Sequence, residues 1–70
     1  MKLSARNILR GTIVDVQRGA VNAHVRMELP GGIIVTSSIT NEAVEELGLA
    51  PGVAAAAVIK ASDVMIGLDD

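Results

Sequence analysis

The sequence predicts a mostly β domain: five short strands closed into a Greek-key barrel, with one short helix between the third and fourth. Three observations carry this. Val21, Ala23, Val25, Met27 and Leu29 alternate without an error with Asn22, His24, Arg26 and Glu28, the period-two signature of a strand with one buried face. The other β-branched and apolar runs are short and punctuated by Gly and Pro. A chain of 70 residues without a single Phe, Tyr, Trp or Cys must build its core from Val, Ile, Leu, Met and Ala, with no disulfide to staple it.

Taken in order, residues 3–17 read as a long first strand through Ile8, Leu9, Ile13, Val14 and Val16. Its alternation is imperfect, and Gly11 in mid-run marks a bulge or a close approach of another backbone. Arg18-Gly19-Ala20 is a turn, and residues 21–29 are the clearest strand. Pro30-Gly31-Gly32 breaks the chain before a third strand over residues 33–39. Residues 40–48 form a short helix. Thr40 is the N-cap, and Ile39 and Val44 occupy the two positions of a hydrophobic staple. Gly48 suits the left-handed C-terminal position, and Pro51 blocks continuation. Residues 53–60 are contested: the alanine run favours helix, while Val53, Val58, Ile59 and the preceding Pro51-Gly52 turn favour strand. We read a fourth strand there, and a fifth over residues 62–68 through Val64, Met65, Ile66 and Leu68. Five strands with a helix after the third is the layout of an OB-like barrel.

Composition bounds what such a domain does. The chain is one domain over residues 1–70, too short for a strong core alone, so with neither cysteine nor a metal cluster to staple it, oligomerisation is the expected remedy. The longest apolar run, Val53–Ile59, is far below the roughly 20 residues of a membrane span, and the N-terminus lacks the apolar stretch of a signal peptide. A cytoplasmic location without membrane contact is therefore expected. The formal net charge is −2, which is the wrong sign for a nucleic-acid surface, and no aromatic ring is present on which bases could stack. No nucleophile stands at a recognisable spacing from a base. His24 falls on the polar face of the second strand, and Glu42, Glu45 and Glu46 read as a solvated helix face. We expect a binding protein rather than an enzyme.

One chemistry fits better. A tetrahedral oxyanion needs converging N–H and O–H donors and compensating positive charge, with no ligand to its central atom. Ser4-Ala5-Arg6-Asn7 offers a hydroxyl beside a planar fork of donors. The helix start at Thr40 offers backbone N–H groups and a partial positive charge. Lys60 is the only cation of the last forty residues, and Ser62 adds a hydroxyl beside it. The plainer alternative keeps Thr40 as a cap, Arg6 and Lys60 as surface cations paired with Glu42 or Asp63, and the serines as strand ends. Glu42 also competes for the charge at the helix start. A second class of function stays open, an OB-like interaction module that binds a protein or single-stranded nucleic acid.

The chain resembles the molbindins, the molybdenum-pterin-binding or Mop proteins. Ser4-Ala5-Arg6-Asn7 is similar to their N-terminal signature. Gly11-Thr12-Ile13, Gly19-Ala20-Val21-Asn22, Ile39-Thr40, Val44-Glu45-Glu46-Leu47-Gly48-Leu49 and Val58–Ile66 follow in the family's order and spacing. The resemblance implies an OB-like barrel that binds molybdate or tungstate as the intact oxyanion, without direct metal coordination and without a pterin cofactor. It implies a homo-oligomer, a hexamer built as a trimer of dimers, with anions at subunit interfaces and a role in intracellular molybdenum storage and homeostasis. By the same resemblance Ser4, Arg6, Thr40 and Lys60 are the anion-binding residues, and Ser62 is added to them on its hydroxyl beside Lys60. Ala43 joins them through its backbone only, because some relatives carry serine there. The turn Gly19, Ala20, Val21, Asn22 is the candidate for a second type of anion site. With no DNA-binding or ATPase segment, the chain looks like the stand-alone storage form.

Overall fold

A computed structural model describes residues 1–70. The chain forms β1 (Asn7–Arg18), β2 (Asn22–Glu28), β3 (Ile34–Thr40), the helix α1 (Asn41–Leu47) and β4 (Ala54–Ile59), followed by a single 3-10 turn at Ala61–Asp63. The four strands make one antiparallel sheet in the order β3-β2-β1-β4. β1 is long enough to serve two neighbours: its first half pairs with β4 and its second half with β2. Shared in this way, it curls the sheet into an OB-like half-barrel.

The core follows the alternation in β2. Ala23, Val25 and Met27 are buried together with Ile13 of β1 and Val44 of α1, while Asn22, His24, Arg26 and Glu28 face out. Gly11 is required by a close approach, since a Cβ there would run into the Glu28 carbonyl oxygen. The bulge lies elsewhere. Register slips between Ile13 and Asp15, so Val14 is the extra residue, and this keeps both Ile13 and Val16 directed inward.

The helix forms for the local reasons its sequence gives. The Thr40 side-chain oxygen accepts the Ala43 N–H at 3.0 Å, and Gly48 closes the helix in the left-handed conformation at φ 64°. Ile39 and Val44 both pack into the core, as a staple requires. The alanine run is a strand, because pairing of Leu9–Thr12 with Ala54–Ala57 outweighs the helix propensity of alanine.

The expected fifth strand over residues 62–68 is not formed. The Asp63 N–H donates to the Lys60 carbonyl and the Val64 N–H to that of Ala61, so the chain turns out of the sheet just after β4. Residues 64–70 then run outside any ladder, with Met65, Ile66 and Leu68 about 90 % exposed. A strand exists only by pairing, and apolar patterning alone does not bring a segment to an edge. The barrel is consequently open between β3 and β4, where an apolar cleft of about 620 Å³ remains.

Candidate functional site

The structure sorts the expected anion-binding residues into two groups. The first lies where β1 begins and β4 ends. Asn7 and Ile59 form the last ladder pair there, and the Asn7 side-chain amide donates to the Ile59 carbonyl at 3.1 Å. Arg6 and Lys60 directly flank that pair in the chain, with Ser4 two residues before Arg6 and Ser62 inside the Ala61–Asp63 turn. The β1–β4 register thus brings the two chain segments that carry these cations and hydroxyls to one corner of the sheet. All four side chains are exposed, and neither cation has a carboxylate partner, because the only ion pair in the chain is Arg18–Glu45. Arg6 and Lys60 therefore are not paired with Glu42 or Asp63.

The second group lies where β1 ends. Thr40 pairs with Asn22 across β3 and β2, next to the Gly19–Asn22 turn, and twelve residues of β1 separate it from the Arg6 corner. One chain does not bring Thr40 and Ala43 to Arg6 and Lys60. The helix start is also largely satisfied from within: the Ala43 N–H is taken by Thr40, and the Asn41 N–H by the Val21 carbonyl at 2.8 Å. Since the Thr40 oxygen accepts from Ala43, its own O–H proton is what it has left to donate.

The turn Gly19, Ala20, Val21, Asn22 sits against this helix start rather than apart from it. The Gly19 N–H donates to the Asn22 carbonyl at 2.7 Å, and the Asn41 side-chain amide donates to the Gly19 carbonyl at 3.0 Å. The Ala20 and Val21 N–H groups have no acceptor in the chain, so the turn presents two free donors. Arg18, at its entry, pairs with Glu45 of α1 at 2.9 Å. Asn41 is the residue that sequence reasoning missed: it clamps the turn to the helix, and its Oδ1 is buried without a partner. Its position directly after a capping threonine was the available signal. No three His, Asp or Glu side chains gather as they would around a metal ion.

Comparison with known proteins bears directly on both groups. The family model described as TOBE domain matches residues 3–66. The chain belongs to the TOBE domain family. The match extends from before Ser4 to beyond Ser62 and takes in both halves of the candidate site. A probable molybdenum-pterin-binding protein of Haemophilus influenzae is 45 % identical over 69 residues, which is 99 % of this chain and 100 % of that protein. Among solved structures, the cytoplasmic molybdate-binding protein ModG, in a form with molybdate bound, superposes with a TM-score of 0.95 at 56 % identity. The match covers 99 % of this chain but 49 % of ModG, so this TOBE domain spans about half of that protein. A molybdate-binding protein from Sporomusa ovata gives a TM-score of 0.91 at 32 % identity over 97 % of this chain and 100 % of its own.

Proposed function

We propose that this protein binds molybdate or tungstate as the intact oxyanion and holds it by hydrogen bonds at the interfaces of a homo-oligomer, in the service of cytoplasmic molybdenum storage and homeostasis. The observation that carries the reading is the Asn7–Ile59 pairing, which sets the segments bearing Ser4 and Arg6 beside those bearing Lys60 and Ser62, with neither cation in an internal ion pair. Two unpaired cations and two hydroxyls supply charge and donors for a dianion. The named similarity to molybdate-binding proteins supports the choice of anion.

The corner is half a site. Thr40, through the O–H proton it has left to donate, supplies the other half from a neighbouring copy, which places the anion between subunits. A hexamer arranged as a trimer of dimers is the assembly that meets this need, and the Gly19–Asn22 turn, with its free Ala20 and Val21 amides, is the second type of site. The domain works as a binder, with no catalytic step and no pterin. Sulfate is excluded by the fixed spacing of donors. Phosphate carrying a proton is excluded because its hydroxyl would face donors only.

Thermal unfolding tests the reading. Molybdate or tungstate at 100 times its dissociation constant should stabilise the folded protein by about 2.7 kcal/mol, seen as a raised Tm. Sulfate at the same concentration should leave the Tm unchanged. Equal shifts with all three anions, or none with any, would overturn the oxyanion assignment.

A further inference from the structure

Asn41 grips the Gly19–Asn22 turn at two points. Its side-chain amide donates to the Gly19 carbonyl at 3.0 Å, and its backbone N–H donates to the Val21 carbonyl at 2.8 Å. Within itself the turn is closed by the Gly19 N–H donating to the Asn22 carbonyl at 2.7 Å. The Oδ1 of Asn41 is buried and has no partner. An unpaired buried acceptor costs free energy, so a clamp kept for stability alone gains nothing from it. What the position uses is the N–H end of the amide.

The two bonds have a directional consequence. A trans peptide is planar, so its C=O and the N–H that follows point opposite ways, and every peptide of this chain is trans. Drawing the Gly19 carbonyl toward Asn41 therefore aims the Ala20 N–H away from it. Drawing in the Val21 carbonyl fixes the peptide that follows Val21. The Val21 N–H belongs to the peptide between these two, so it is held from both ends. Neither the Ala20 nor the Val21 N–H has an acceptor in the chain, and both residues are exposed. A donor on the Gly19 carbonyl also polarises that peptide, which strengthens the Ala20 N–H as a donor.

We propose that Asn41 is the positioning residue of the turn's anion site: it holds the Ala20 and Val21 N–H groups outward for an oxyanion that it does not itself touch. The inference rests on the second type of site in the proposed function and assigns what shapes it. The task needs a short side chain that carries an N–H donor. A carboxylate in its place would set an acceptor oxygen against the Gly19 carbonyl, and an alanine would leave the Gly19–Ala20 peptide free to turn. Thr40, the next residue, serves the interface site through its hydroxyl. Adjacent residues thus serve different sites, Thr40 by donating and Asn41 by orienting other donors.

Titration of the full chain with sodium molybdate at neutral pH, followed by amide NMR, tests it. In the unaltered protein the Ala20 and Val21 signals should move as the turn fills. Asn41→Ala and Asn41→Asp should each weaken binding at the turn by about tenfold, the worth of one hydrogen bond. The interface site, read from the Arg6 and Lys60 signals, should change by less than about twofold. Asn41→Asp places an acid in the first turn of the helix, where it is favourable, so circular dichroism should be retained. Without anion, the Ala20 amide proton should shift upfield in both variants. In Asn41→Asp it should return on acidification through the ordinary carboxyl range, about pH 4, because the protonated carboxyl again donates to the Gly19 carbonyl. Equal losses at both sites, or loss of fold in both variants, would mean that Asn41 only supports the helix start, and would overturn the proposal. Turn signals that respond to molybdate as strongly in the variants as in the unaltered chain would remove Asn41 from a site that still stands. If Ala20 and Val21 of the unaltered chain ignore molybdate while Arg6 and Lys60 respond, the second site and this proposal fall together and the interface site remains.

Discussion

The two ends of β1 carry the same kinds of groups in opposite states. At its C-terminal end nearly every donor is engaged within the chain: Thr40 caps Ala43, Asn41 binds Gly19 and Val21, and Arg18 pairs with Glu45. At its N-terminal end Arg6 and Lys60 flank the last β1–β4 pair with no internal ion-pair partner. One end is a locally completed structure that offers a few leftover donors in fixed positions. The other is a concentration of unspent charge that only a ligand or a neighbour can neutralise. Substitutions at the first end should therefore register as stability, with Thr40 alone counting in the affinity of the interface site as well, and at the second as affinity.

The largest expected effect is on binding at the open end. Arg6→Ala and Lys60→Ala should each lower molybdate affinity by roughly 1.5–3 kcal/mol, the worth of a hydrogen bond to a charged group. Anion-free stability should shift by less than about 0.5 kcal/mol, because both side chains are exposed and unpaired. Calorimetric titration beside chemical denaturation separates the two, and unchanged affinity in both variants would place the site elsewhere. Next in size is Thr40→Ala, expected to remove about 1 kcal/mol of stability through the lost cap. Thr40→Ser should keep both cap and affinity. Smallest is Arg18→Ala. The Arg18–Glu45 pair is exposed on both sides, so denaturation should record less than about 1 kcal/mol. A larger loss there would mean that the pair positions the Gly19–Asn22 turn.

What could be read from the sequence divides along a similar line. The helix was legible in full, because Thr40, Gly48 and the Ile39–Val44 staple act within a few residues of one another. β2 was legible because its alternation has no fault. Gly11 declared that something came close, but not that it was the Glu28 carbonyl, and nothing marked Val14 as the bulged residue. Residues 62–68 have the composition of a strand, yet strand pairing is a non-local event, and the Ala61–Asp63 turn leaves them exposed and unpaired although the edges of β3 and β4 are free. The candidate site shows the same limit. Arg6 and Lys60 were identifiable as cations beside hydroxyls, but their adjacency is created by the β1–β4 register. The separation of Thr40 from them arises from the length of β1.

That separation is the crux, and mixing two defective variants tests it most directly. Arg6→Ala spoils the open corner and Thr40→Ala the helix start. Co-expressed or refolded together, the two form mixed oligomers in which some interfaces join an intact Arg6 corner to an intact Thr40 from another chain. Titration of the mixture should recover a fraction of sites with the molybdate affinity of the unaltered protein, although neither variant alone has any. Recovery of no such sites would mean that each site is built within one chain, and would contradict the shared-interface mechanism.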